Sequence, residues 1–393
     1  MISHELVQYL AESAHEGQSE LIQTVRSLVS RRAPLLTDTI TKDEAFLEPA
    51  LFSWLTARRD DIDLQQILYG YLPESVRPLR LHIMSDAKGV AHLPRVGYIT
   101  GMEPCRQSTL NIFEIATNWM AAPLNNSHHI HFTPARFSAA GLLEFTYYMD
   151  PILWPLFVES KNVHATTVAV DEVSELQNSF NSALTLMRQI RPDIYQLLCI
   201  ANRRTHIYQA DAPNSFATLS MHGAAFLNRV ERPSAVFFLD DFAHQGGHVV
   251  FNAATLNHDR YLNIDSNIKL CDIVPNSTDQ RTLYSAFHGL FTLTLIVTVL
   301  LGGLRQNAFT HAQAKEAHAR LGFYLLKFQH DLNNLAQSRL YTADGTALYR
   351  GFHACYESAI DTYATELHGL DYSNQSYVFH YSRFNELNRS CAA

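Results

Sequence analysis

The sequence has few cysteines and spaces them widely. Its 393 residues include five cysteines, and no two of them form a Cys-x-x-Cys pair. A zinc ribbon needs such pairs, and a small secreted domain would need a denser, even-numbered set. The cysteines therefore favour a reducing compartment. The first residues, Met-Ile-Ser-His-Glu-Leu, also lack the basic and apolar regions of a secretory signal, so we predict a cytoplasmic protein.

Long basic runs and a full-length membrane span are also missing. The longest basic clusters are the pairs Arg31-Arg32 and Arg203-Arg204, and the net charge is −8, so no nucleic-acid partner is expected. The longest apolar run, 289–304, has 16 residues and includes three threonines. A span needs about 20 residues, so we predict a buried core helix and no membrane partner. Hydrophobic content of 47% and charged content of 17% are typical of a globular protein.

The spacing of apolar residues predicts many helices and several short strands. Predicted helices cover 5–30, 42–57, 61–71, 109–121, 172–202 with a break at Pro192, a central helix opened by Pro233, 282–304, 312–337 and 347–367. Predicted strands cover 76–84, 90–100, 128–133, 163–170, 206–209, 216–226, 260–265, 268–274 and 376–381. The pattern indicates an α+β fold in which helices predominate.

The central helix carries a pair of histidines with the spacing of a metal site. His244 and His248 are four residues apart, which places both imidazoles on one face, about a turn apart. The spacing matches His-Glu-x-x-His, but position 245 is Gln. Gly246 and Gly247 follow, and each glycine inside a helix costs roughly 1 kcal/mol relative to Ala. We therefore expect a ligand or a tightly packed neighbour close to this backbone.

Other residues could complete the site, and each has a plainer explanation. The chain has 20 histidines, so such a pair can be structural. His288, near the start of the second apolar helix, is either a third ligand or a core histidine bonded to a carbonyl. Arg281 lies two turns before it on the same face and could clamp a carboxylate, or could pair only with Asp279.

Two further patterns remain open. Asp240 precedes His244 by four residues and could orient its imidazole, or could be a solvated carboxylate near the helix start. The stretch 128–131 reads His-His-Ile-His, which on a strand is either a metal site or a half-exposed polar edge.

Several of these stretches, taken in order, resemble one enzyme family. The runs 239–248, 281–289 and 340–349, preceded by 220–225, look like the HExxH-type peptide β-hydroxylases, with Gln in place of the motif Glu. These are iron enzymes that use 2-oxoglutarate to modify ribosomally made peptides. The resemblance covers roughly 165–360 and gives only a vague match before residue 160.

The resemblance implies Fe(II) bound by His244, His248 and His288, with Arg281 as the anchor of the 2-oxoglutarate carboxylate. Molecular oxygen would be the oxidant. The substrate would be a peptide or an amino-acid-like molecule, carried or leader-bound, in natural-product biosynthesis. The reaction would hydroxylate an unactivated carbon, and the cofactors supply that chemistry. Gln245 could then act in catalysis by donating a hydrogen bond to bound oxygen or substrate.

Two alternatives stay open. A zinc metallohydrolase would need another general base, such as Glu231 or Asp265, because Gln245 cannot accept the proton that the motif Glu takes from metal-bound water. A non-catalytic, peptide-binding member of the family would keep the fold without the activity. The three intact histidines argue against this alternative.

The expected organisation follows from this resemblance. We predict that the metal-binding motif helix and the second apolar helix pack beside a mixed or antiparallel sheet. Residues 1–160 would form an N-terminal helical and mixed region for substrate or leader binding. Residues 161–393 would form the catalytic, metal-binding region.

Overall fold

A computed structural model describes residues 1–57, 62–115, 118–123, 130–148, 168–210, 214–229, 233–275 and 277–388. The α-helices in these ranges are α1 (His4–Arg32), α2 (Pro34–Thr39), α3 (Pro49–Ala57), α4 (Leu64–Leu68), α5 (Val173–Ile190), α6 (Pro192–Ala201), α7 (Ala235–Ala254), α8 (Leu270–Ile273), α9 (Leu283–Arg305), α10 (His311–Asn334), α11 (Ala343–Leu367) and α12 (Tyr381–Leu387).

The β-strands of the described ranges are β1 (Arg80–Met84), β2 (Ala91–Leu93), β3 (Gly97–Thr100), β4 (Gln107–Ile115), β5 (Asn118–Pro123), β6 (His131–Pro134), β7 (Arg136–Ser138), β8 (Leu143–Thr146), β9 (Arg204–Tyr208), β10 (Phe216–Ala217) and β11 (Ala224–Asn228). They form two antiparallel three-stranded sheets, β1-β4-β5 and β2-β3-β6, and a five-stranded sheet ordered β10-β11-β9-β8-β7. In the last sheet, β9 pairs in parallel with both β11 and β8. The fold is therefore α+β and dominated by helices, as predicted.

The chain divides into two compact units. We call Met1–Gly17, Asn178–Ile200 and Glu231–Ala393 the helical unit, and Gln18–Gln177 and Ala201–Val230 the sheet unit. The units alternate along the sequence, and the predicted boundary at residue 160 lies outside the described residues.

The sheet unit holds a buried ion network. Arg204 on β9 contacts Glu48 at 2.7 Å and Glu144 at 2.9 Å. All three side chains are at most 3% exposed. His92 joins the network through a 3.0 Å contact from its Nε2 to Glu144. Because charges buried this deeply must be paired, the network holds residues from distant parts of the chain together.

The helical unit is built on α7 and α9, the two apolar helices. Ser234 caps α7 by accepting a hydrogen bond from the Phe237 amide, and Thr282 caps α9 in the same way from Ser285. By length and composition α9 could cross a membrane, but 94% of its most apolar window is buried inside the protein. The structure thus agrees with the prediction of a core helix.

Helices α5 and α6 confirm the break predicted at Pro192. The first ends at Ile190 and the second begins at Pro192, which occupies the first helical position, where its missing N–H is tolerated. The helices predicted at 42–57 and 61–71 are shorter than expected, because turns of 3₁₀-helix replace part of each.

The helix predicted over 109–121 is wrong. These residues form the antiparallel strands β4 and β5, with Asn111 opposite Ala122. Leu110 and Ile112 are buried at positions two apart, so the apolar residues follow the period of a strand rather than that of a helix.

Three predicted strands are also wrong. The predicted strand 260–265 follows a 3₁₀ turn at 258–260 and forms only an isolated bridge, from Leu262 to Tyr341. The predicted strand 268–274 contains the helix α8 at 270–273 and an isolated bridge from Lys269 to Thr282. Residues 376–380 have no regular structure, and α12 starts at Tyr381. The predicted strand 216–226 is two strands joined by a turn. Of the predicted strand 163–170, only 168–170 are described, and they are not a strand.

Candidate functional site

The second glycine of α7, Gly247, lies where that helix meets α9. A Cβ on Gly247 would be 3.0 Å from Leu295 Cδ1 and 3.4 Å from Thr292 Cγ2. The helices can approach this closely because position 247 lacks a side chain. The close neighbour expected from the sequence is therefore another helix of the same chain.

This packing brings the three predicted histidines together. The ring centres of His244 and His248 are 5.0 Å apart, and those of His248 and His288 are 4.4 Å apart in an edge-on arrangement. We call these three residues the histidine cluster. His288 also packs against the rings of Phe251 at 5.0 Å and Tyr284 at 5.5 Å. Two imidazoles thus come from α7 and one from α9.

Burial keeps the histidine cluster uncharged. It lowers the pKa of His248 to about 4, and it lowers the pKa values of His244 and His288 well below the ordinary value. The neighbouring imidazoles depress the last two further. All three rings are therefore neutral at pH 7, which is the form of histidine that binds metal ions.

One nitrogen of the histidine cluster lacks a hydrogen-bond partner. The side chain of His288 is buried, and its Nε2 atom bonds to no other group. A buried polar atom normally finds a partner, because leaving it unsatisfied costs about 1–3 kcal/mol. A free imidazole nitrogen on a ring that packs against a second neutral imidazole is donor chemistry that suits zinc or iron.

The spacing of neighbouring rings fits metal ligation. With a metal–nitrogen distance of about 2.1 Å, a ring centre lies about 3.2 Å from the ion, so two ligand rings at roughly 90–110° have centres about 4.5–5.3 Å apart. The observed separations of 4.4 and 5.0 Å are close to that interval.

Full convergence is not present. Within the described ranges, no set of three or more His, Cys, Asp or Glu side chains has the mutual arrangement of a metal site. Metal binding by the histidine cluster would therefore require these side chains to rearrange. The donor types and the two observed ring separations suit a transition metal, whereas the arrangement of the three side chains does not.

Gln245 lies beside the histidine cluster in sequence and is only 3% exposed. Among the described residues, no hydrogen bond joins it to the three histidines. Its place in the core agrees with a side chain that fills space next to the site, and its catalytic role stays a prediction.

Asp240 does not orient His244. Its carboxylate is 1% exposed and pairs with Arg320 at 2.9 Å, on α10. Burial raises the pKa of Asp240 to about 6, although the Arg320 guanidinium opposes that shift. Neither of the two roles considered from the sequence fits, because the carboxylate is neither solvated nor bonded to a histidine.

Arg281 lies just before α9, seven residues ahead of His288, but its guanidinium is occupied. Its nitrogens contact Asp279 at 2.7 Å and Asp331 at 2.6 Å. Burial works against the charge, yet hydrogen bonds to Asp331 and Asp279 outweigh it and raise the pKa of Arg281 above its ordinary value. A 2-oxoglutarate carboxylate would have to compete with two aspartates for this side chain.

The remaining candidates are either engaged elsewhere or lie outside the described residues. Asp265 is exposed and accepts hydrogen bonds from Asn267 in its own turn. Glu231 and residues 128–129 lie outside the described residues, and His131 is an exposed residue of β6 in the sheet unit.

Sequence reasoning missed two residues near the site. Lys327, on α10, lies close enough to His244 for its charge to lower the pKa of that imidazole. Asp331, one turn later, neutralises Arg281. Their i, i+4 spacing on an amphipathic helix was the only signal, and it is the same for any exposed pair.

The comparisons with known proteins add no family. No protein-family model matches the chain, and no curated protein matches it in sequence.

Proposed function

We propose that this protein is an Fe(II)/2-oxoglutarate-dependent oxygenase. It would hydroxylate an unactivated carbon of a peptide or amino-acid-like substrate, in cytoplasmic biosynthesis of peptide natural products. The observation that carries the proposal is the histidine cluster: three neutral imidazoles on two packed helices, with the Nε2 atom of His288 buried and unpartnered.

In this proposal His244, His248 and His288 hold the iron. Iron, 2-oxoglutarate and molecular oxygen together supply the oxidising chemistry. The chain's own part is to bind and to exclude water. The rings of Phe251 and Phe291 stack 4.7 Å apart beside the histidine cluster, and both are fully buried. Such an apolar wall protects a reactive site from solvent.

Gln245 supports an oxygenase over a peptidase. A peptidase of the His-Glu-x-x-His type uses the Glu carboxylate to take a proton from metal-bound water. A neutral amide cannot take that proton, and the exposed Asp265 is engaged in its own turn. An oxygenase needs no base at this position.

The test begins with the metal content of protein purified without oxygen, followed by succinate formation from 2-oxoglutarate with added Fe(II). We expect about one iron per chain and succinate release, both lost in His244→Ala and in His288→Ala. His311→Ala is the matched control, because His311 is an exposed histidine at the start of α10. It should keep both properties.

The outcomes separate the candidate functions. Bound zinc without succinate formation under any iron loading would favour a metallohydrolase. No bound metal would leave a non-catalytic binding protein. Either result would refute the oxygenase.

A further inference from the structure

The helix face that carries His244 and His248 is accessible at these two residues. Every other residue of α7 between positions 242 and 254 is buried. On α9, Tyr284 is also partly exposed, one turn before the buried His288. His248 on α7 and Tyr284 on α9 therefore mark an edge at which the histidine cluster can be reached from outside.

A second polar layer lies one helix turn away from the rings of His248 and His288. Asn252 follows His248 by one turn of α7, and Tyr284 precedes His288 by one turn of α9. The Tyr284 hydroxyl donates to Asn252 Oδ1 at 3.3 Å, and the Tyr284 ring lies 5.5 Å from the His288 ring. All four residues belong to the helical unit. The two helices thus hold a tyrosine–asparagine pair directly beside the histidine cluster.

One end of the Asn252 carboxamide is free. The residue is 9% exposed, and its Oδ1 atom is the one that accepts from Tyr284. The Nδ2 atom carries two protons and makes no hydrogen bond within the part of the chain that the structure describes. A donor in so buried a side chain normally has a partner, because leaving it without one is costly. The free NH2 group therefore indicates an acceptor that comes from outside the chain.

The side chains around this NH2 group are uncharged. The Tyr284 hydroxyl lies 2.7 Å from Thr255 Oγ1, and the Tyr284 ring stacks on His258 with centres 3.8 Å apart. His258 Nδ1 lies 3.0 Å from Ser266 Oγ, and burial lowers the pKa of His258, so its imidazole is neutral at pH 7. A neutral donor among neutral groups suits an amide carbonyl. A carboxylate would lose hydration here without gaining a cation from these side chains.

The distance between the two layers fits a peptide. Four residues of helix span about 6 Å, and an extended peptide advances about 3.5 Å per residue. A backbone carbonyl bound at Asn252 would therefore leave the adjoining one or two residues beside the histidine cluster.

We infer that Asn252 binds a peptide substrate by donating from Nδ2 to a backbone carbonyl within two residues of the carbon that is modified. Tyr284 is the positioning residue that fixes the orientation of the Asn252 amide. The reaction at that carbon rests on the proposed function, whereas the preference for a peptide over a free amino acid rests on the free NH2 group and its uncharged surroundings.

The test measures binding of a peptide mimic to the full chain by ligand-observed NMR. The probes are N-acetyl-L-alanine N-methylamide, which has backbone carbonyls and no charge, and free L-alanine. Each is titrated into protein in EDTA and into protein with Zn(II). The variants are Asn252→Leu, which removes the amide and keeps its size, Tyr284→Phe, the double variant, and the control Asn333→Leu at an exposed position of α10.

We expect Asn252→Leu to weaken binding of the methylamide by about three- to tenfold, as for loss of one hydrogen bond between uncharged groups. Tyr284→Phe should weaken it less, and should have no further effect in the Asn252→Leu background, because Tyr284 acts through Asn252. L-Alanine should bind more weakly and equally to all forms, and Asn333→Leu should match the wild type. Thermal unfolding checks that each variant is folded. Asn252→Asp, which replaces the donor by an acceptor of the same shape, should lose at least as much affinity and replaces the leucine variant if that one does not fold.

A second measurement places the probe. In protein that holds Co(II) instead of Zn(II), the methyl protons of the bound methylamide should relax faster, because the paramagnetic ion lies beside Asn252. Equal relaxation with both metals would overturn the inference. Unchanged methylamide affinity in Asn252→Leu, tighter binding of L-alanine than of the methylamide, or no binding of the methylamide to the wild type would also overturn it.

Zinc affinity, measured in parallel for wild type and His288→Ala, reports separately on the proposed function. Zinc bound through His288, with methylamide binding insensitive to Asn252, would refute the inference alone. Methylamide binding that depends on Asn252 in a protein that takes up no metal would refute the oxygenase and support the peptide contact.

Discussion

The substitution His288→Phe distinguishes a ligand histidine from a structural one. The His288 ring packs edge-on against His248, with centres 4.4 Å apart, and against Phe251 at 5.0 Å. The residue is 6% exposed and keeps one nitrogen without a partner. A phenyl ring offers a similar shape to these aromatic neighbours and has no polar atom to satisfy.

The magnitude follows from the groups lost and gained. Removing the unsatisfied nitrogen recovers about 1–3 kcal/mol, and loss of the hydrogen bond from the imidazole to the backbone of His248 costs about 1 kcal/mol. We expect the metal-free variant to be more stable than the wild type by about 1 kcal/mol, or roughly 2–4 °C in Tm for a unit of this size.

Urea unfolding in EDTA and in excess Zn(II) measures the free energy of unfolding of each protein without and with metal. Metal at 100 times its Kd should stabilise the wild type by about 2.7 kcal/mol, and the variant should gain little. The order of stability should therefore reverse between the two conditions. His311→Phe, which alters an exposed histidine of the same helical unit, should behave as wild type in both.

One result would refute this reasoning. If His288→Phe is less stable than the wild type by 1 kcal/mol or more in EDTA, the imidazole serves the core, and its second nitrogen has a partner in solution. The three histidines would then be a structural cluster.

Two further predictions concern acid stability and the ion network of the sheet unit. The pKa of His248 is about 4 in the fold, so the stability that depends on its neutral imidazole is complete above pH 6.5 and is lost as the pH falls toward 4. At pH 5 the free energy of unfolding should be lower by about 2 kcal/mol. In urea unfolding, His248→Phe should therefore show less change in stability between pH 7 and pH 5 than the wild type. Arg204→Met should destabilise the protein by about 3–5 kcal/mol, because it leaves the carboxylates of Glu48 and Glu144 buried without the guanidinium that pairs with both. A urea midpoint equal to that of the wild type would show that the network is not closed in solution.

The sequence located the helices of the site but not all of their neighbours. The starts of α7 and α9 were predicted to within two residues, at Pro233 and Thr282, and in the structure Ser234 and Thr282 are the capping residues. The hairpin β4–β5 was not, because Leu110 and Ile112 belong to a segment of mixed polar and apolar residues whose strand period is evident only once the buried face is known. In that segment strand pairing, a long-range property, decided the outcome.

For the candidate site, the sequence alone determined which donors exist and that two of them share one helix face. The spacing of His244 and His248 fixes their geometry, since the helix repeat is local. The tertiary structure decided which side chains of other helices lie near these two histidines. The packing of α9 on α7 brings in His288, while α10 supplies the aspartate that occupies Arg281. Those contacts depend on how distant helices pack, and no local spacing encodes that.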